Sequence, residues 1–72
     1  MTRLEAERYV RILDSSELAF QARVGVDLVN ERIVFFGRTG KHSVDYTVSS
    51  RHRICRHFEG FCQNQEVRHV EA

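Results

Sequence analysis

The side chains able to do chemistry crowd one stretch of this chain. Arg51-His52-Arg53-Ile54-Cys55-Arg56-His57 sets three guanidiniums, two imidazoles and a thiol side by side. Arg38 and Lys41 lie just before it, in a segment carrying Gly37 and Gly40. Guanidinium and ammonium groups grip phosphate oxygens, and a helix start adds its own attraction for anions. The candidate nucleic-acid or polyanion set is therefore Arg38, Lys41, Arg51, Arg53 and Arg56. On a helix Arg53 and Arg56 share a side, whereas Arg51 and Arg53 diverge by roughly 200°. No zinc-finger or RNA-recognition signature accompanies the cations. A solvated basic face is the simpler reading, and nucleic-acid binding is the alternative to it.

Imidazole and thiolate also ligate zinc. Cys55, Cys62 and His69 repeat every seven residues and would share one side of a helix. Each such step spans roughly 10 Å, so one ion cannot reach all three. No CxxC pair exists, and no metal is expected. The same spacing exceeds the roughly 4.4–6.8 Å between Cα atoms of a disulfide, so the two cysteines read as small core hydrophobes. Catalysis fares no better. His42 and Asp45 fall on opposite faces of a strand, and Ser49 and Ser50 are explained by helix capping. Gly37-Arg38-Thr39-Gly40-Lys41 is too short for a phosphate loop. No catalytic residue and no cofactor is expected, and the chain reads as a non-enzyme.

The totals agree. With 72 residues the chain is one domain, 1–72, with a thin core. Net charge is only +1, but residues 37–57 hold five Lys/Arg against one Asp/Glu. His42, His52 and His57 lie in the same third. No apolar run approaches the roughly 20 residues of a membrane span. Met1-Thr2-Arg3-Leu4-Glu5 lacks signal-peptide character. Unbridged cysteines fit a reducing cytosol, so the expected location is cytoplasmic.

Three strands and two helices must position these groups. Thr2-Arg3-Leu4-Glu5 is a capping box, and Ala6, Tyr9, Val10 and Leu13 follow at helical spacing. A first helix therefore runs from Arg3 to Leu13. Leu18, Phe20, Ala22, Val24 and Val26 then alternate with other residues, as in a half-buried strand. Arg32-Ile33-Val34-Phe35-Phe36 is apolar on both faces and reads as the central strand. Gly37 to Lys41 is a hairpin loop, and Val44, Tyr46 and Val48 mark a third strand. A second helix starts at Ser49 or Ser50, with Ile54, Phe58, Phe61, Cys62 and Gln65 inward. Gly60 inside it marks either a tolerated glycine, a kink or an early end. The tail after Asn64 is polar. The expected fold is α+β, a three-stranded antiparallel meander flanked by an N-terminal and a C-terminal helix, α-β-β-β-α.

From Val26 to Phe58 the chain resembles a family of small uncharacterised bacterial proteins, domain of unknown function 1488. Arg32-Ile33-Val34-Phe35, Gly37, Gly40, Val44-Asp45-Tyr46-Thr47-Val48 and Ile54 carry the resemblance. It implies an α+β fold and supplies no catalytic residues. The capped first helix and the short C-terminus depart from it. Helix–hairpin–helix order alone gives a fainter likeness to small phage head-joining proteins.

Phe35 and Phe36 point to opposite faces of the central strand, so both faces need cover. Either the first helix supplies the second cover or a partner does. The preferred expectation is a small binding or adaptor protein, a regulator or inhibitor of a larger protein. Val34, Phe36 and Tyr9 are its candidate contacts, and a second copy of the chain is a candidate partner. A first strand on the sheet edge offers another route to pairing.

Overall fold

The computed structural model describes residues 1–17 and 22–71, except for the side chains of 65–71. The order is helix α1 (Arg3–Asp14), strands β1 (Arg23–Asp27), β2 (Arg32–Gly37) and β3 (Gly40–Asp45), then helix α2 (Arg51–Glu71). It is the α-β-β-β-α arrangement read from the sequence. Leu18 and Phe20, assigned there to the first strand, lie outside the described residues.

Local chemistry sets most boundaries. The Glu5 amide donates to the Thr2 hydroxyl and the Thr2 amide to the Glu5 carboxylate, closing the capping box. Ala6, Val10 and Leu13 are its buried stripe. The Asp27 carboxylate ends β1 by accepting the amides of Val29 and Asn30 and the Asn30 side-chain amide. Gly37 pairs with Gly40, leaving only Arg38 and Thr39 in the loop between β2 and β3. Gly40 takes φ +128°, a conformation L side chains rarely adopt, so the tight turn needs glycine there.

The third strand is displaced from its expected place. The short loop draws Gly40 to His42 into the ladder, and the strand stops at Asp45. There the Asp45 carboxylate accepts the Thr47 amide and hydroxyl, which turns the chain away. Val48, expected inside, is 81% exposed in that turn. Ser50 then caps α2: its hydroxyl accepts the Arg53 amide, and its carbonyl accepts that of Ile54. α2 passes Gly60 without ending.

The sheet is an antiparallel meander in the order β1-β2-β3. Its register separates two faces. Val24, Phe35 and His42 form one row, with Val26, Ile33 and Val44 beside it. Both helices pack on this face. Ala6, Val10 and Leu13 of α1 share one core with Ile33, Phe35 and Val44, and with Ile54, Phe58 and Cys62 of α2. The Phe35 ring sits 5.3 Å from that of Phe58 and 5.9 Å from that of Phe61. The two helices also touch. The Tyr9 hydroxyl donates to the Arg51 carbonyl at 2.9 Å, and the Arg51 guanidinium lies 6.0 Å from the Tyr9 ring centre. Burial first, then the neighbouring Cys55, pushes the Tyr9 phenol up to about 12. Among the described residues, no helix is long and apolar enough to cross a membrane.

Three turn carboxyls set the response to acid. Hydrogen bonds from Thr2, Asn30 and Thr47 hold Glu5, Asp27 and Asp45, respectively, below their ordinary range. A depressed carboxyl stabilises the fold above its unfolded pKa, and that stabilisation is lost as pH falls through the folded value. Unfolded values lie near 4. The melting temperature should therefore hold from pH 7 down to about 5 and decline below about 4. A level melting temperature through that acid range would mean these turn bonds contribute nothing.

Candidate binding surfaces

Both helices lie on one side, and among the described residues no element covers the other face of the sheet. Its three rows are Arg23-Phe36-Lys41, Gly25-Val34-Ser43 and Asp27-Arg32-Asp45. Phe36, on the central strand, is 48% exposed, while Phe35 beside it is wholly buried. Alternation along β2 and the side chosen by the helices together produce this contrast. Arg32 lies flat across the face, donating from Nε to the Ser43 hydroxyl at 2.8 Å and from its terminal nitrogen to the Ser43 carbonyl. The Arg23 guanidinium also reaches Asp14 at the end of α1. A shallow depression of about 480 Å³ is lined by Gly25, Asp27, Val34, Phe36 and Lys41 among others.

A second surface lies where α2 passes the free edge of the sheet. His42, on β3, faces the helix side. Its ring sits 5.8 Å from that of His57 and 6.2 Å from that of Phe35, at 29° in each case. Around this stack an open groove of about 590 Å³ is lined by His42, His52, Arg53, Arg56, His57, Gly60, Phe61 and Asn64. That volume falls within the range of small-ligand sites, although the groove is not closed. Among the described residues, no acidic side chain lines it and no carboxylate pairs with the guanidinium of Arg53 or Arg56.

The five cations singled out from sequence are thus dispersed. Arg53 and Arg56 meet in the groove. Arg51 turns to Tyr9 and α1. Arg38 stands at the hairpin tip. Lys41 belongs to the opposite face of the sheet, beside Phe36. Of the three proposed interface residues, Val34 and Phe36 share the open face, whereas Tyr9 packs against the core and ties the helices together. Sequence reasoning noted the three histidines but not their convergence. Strand parity held part of the signal, since Lys41 and His42 must point to opposite sides.

Neither cysteine joins the groove. Neither is in a disulfide; Cys62 is buried and Cys55 partly so, and burial pushes the Cys62 thiol up. Among the described residues, no three His, Cys, Asp or Glu side chains converge on a metal position. No protein-family model, curated protein or solved structure matches this chain.

Proposed function

We propose that this chain is a small non-enzymatic binding protein that works through protein–protein contact at the open sheet face, and that the occupant of that face is a second copy. The observation that carries this is the half-exposed Phe36 on the central strand of a face no described helix covers. An exposed aromatic patch rimmed by polar groups is typical of an interaction site.

Charge order on the face favours self-pairing. A two-fold axis across the strands, through the Gly25-Val34-Ser43 row, lays the first row of one copy over the third row of the other. Lys41 then comes over Asp45, Arg23 comes over Asp27 if it exchanges its Asp14 contact, and the Phe36 ring lies over the aliphatic stem of Arg32, whose guanidinium is held at Ser43. The strands of the two sheets run nearly aligned, a standard way for sheets to stack. A one-face footprint of roughly 20 by 14 Å follows from strand rise and spacing. That is small beside the roughly 800 Å² per partner of a stable interface, so the pairing is weak.

Two unbridged cysteines fit a reducing compartment, and the reading places the protein in the cytoplasm. Small size and a presented surface suit an adaptor or regulator of a larger protein. The groove on α2 lies on the far side of each copy from the sheet contact, so pairing leaves it open.

Sedimentation velocity across a micromolar-to-millimolar range tests the pairing. The native chain should shift from monomer to dimer. Phe36→Asp should weaken association at least tenfold without lowering the melting temperature of dilute protein, and Lys41→Glu should weaken it less. A chain that stays monomeric throughout overturns the second-copy assignment. If Phe36→Asp lowers stability and leaves association unchanged, Phe36 belongs to the core instead.

A further inference from the structure

We infer that the groove between α2 and the β3 edge binds single-stranded nucleic acid, with Arg53 and Arg56 on phosphates and the His42, His57 and Phe61 rings on the bases. This does not depend on the sheet-face pairing, because the groove and that face are on opposite sides of the sheet.

Three independent observations support the inference. The first is charge. Arg53 and Arg56, three residues apart on α2, line a groove whose described side chains include no acid, and no described carboxylate pairs with either guanidinium. The second is aromatic surface. His42, exposed at the strand edge, stacks on the half-buried His57 ring at 5.8 Å, and Phe61, also half-buried, lines the same groove. Cations beside ring faces are what a single strand needs, for phosphates are met by charge and bases by stacking. A duplex offers the phosphates but keeps its base faces inside.

The third is Gly60. A glycine inside a helix destabilises it relative to alanine. Gly60 does not take a positive φ. A Cβ there would meet nothing within 4 Å among the described residues, so none of them requires its absence. Gly60 nevertheless lines the groove, where a side chain would occupy the space a base needs. Clearance for a ligand accounts for a glycine that folding does not call for.

The test is fluorescence anisotropy of a labelled oligo-dT of about 12 nucleotides, within the usual site size for such binders. Two phosphate contacts on a single strand predict an affinity falling about sevenfold between about 50 and 200 mM salt. Arg56→Glu should lose at least tenfold, and Gly60→Leu should lose a similar amount by filling the groove. Circular dichroism and melting of both variants confirm that they fold, and leucine is a better helix former than the residue it replaces. Phe36→Asp should bind as the native chain does, since it lies on the other face. No binding at low salt overturns the inference, as does binding unchanged by Gly60→Leu. Equal affinity for a duplex of the same length overturns the role of the rings. Equal affinity for polyglutamate overturns the ligand class and assigns the groove to an acidic protein.

Discussion

Replacing Phe35 with alanine should leave the chain largely unfolded at room temperature. Phe35 is wholly buried and contacts the rings of Phe58, Phe61 and His42, so it joins the sheet to α2. Truncating a core phenylalanine costs about 3–5 kcal/mol, part lost transfer energy and part cavity. A chain of this size has a total stability of only about 4–11 kcal/mol. Its thin core places it toward the lower end. The loss is therefore comparable to the whole margin. Urea denaturation followed by far-ultraviolet circular dichroism checks this, with Phe36→Ala as the comparison. That neighbour already has half its surface in water, so its truncation should cost far less. Equal losses at the two positions would mean that the helices do not choose between the faces of β2 as described.

Replacing Gly60 with alanine should act in the opposite direction and stabilise the fold. Gly60 sits in the interior of α2 with open space around its missing Cβ. The gain from helix propensity alone is about 1 kcal/mol. For a domain of this length that corresponds to a melting temperature about 4–8 °C higher. The gain has two sources: alanine restricts the unfolded chain more than glycine does, and it fits the helical backbone without strain. A drop in melting temperature would show that the packing around α2 is tighter at this point than the open space implies. Gly60 thus links stability to the groove, because the residue that would best strengthen the helix also narrows the binding surface. Natural proteins commonly carry such local losses at sites of function.

Much of the architecture could be read from local patterns. The capping box of Thr2 and Glu5 and the 3.6-residue spacing of Ala6, Val10 and Leu13 mark α1 without reference to any other element. Alternation from Ala22 to Val26, and the run Arg32 to Phe36, mark strands in the same way. Ser50 marks the start of α2. These signals are local because caps, turns and amphipathic stripes are made by residues a few positions apart.

Other features depended on contacts between distant elements. Alternation along β2 requires Phe35 and Phe36 to point oppositely, but nothing local says which one is inside. That was decided when α1 and α2 packed on the same side, so Phe35 entered the core and Phe36 remained in water. The extent of β3 was misread for a related reason. Val44, Tyr46 and Val48 alternate as a longer strand would, yet the two-residue turn and the Asp45–Thr47 bonds set its limits. The cations cluster between Arg38 and Arg56 in the sequence and were scattered by geometry, with Lys41 sent to one face and Arg53 and Arg56 to a groove behind the other. His42 joined His52 and His57 there from a different element, across a separation that leaves no trace in spacing. Secondary structure is determined by neighbours in the chain, which the sequence displays. A surface is assembled from residues that tertiary packing brings together, and here the decisive step was the choice of one sheet face by both helices.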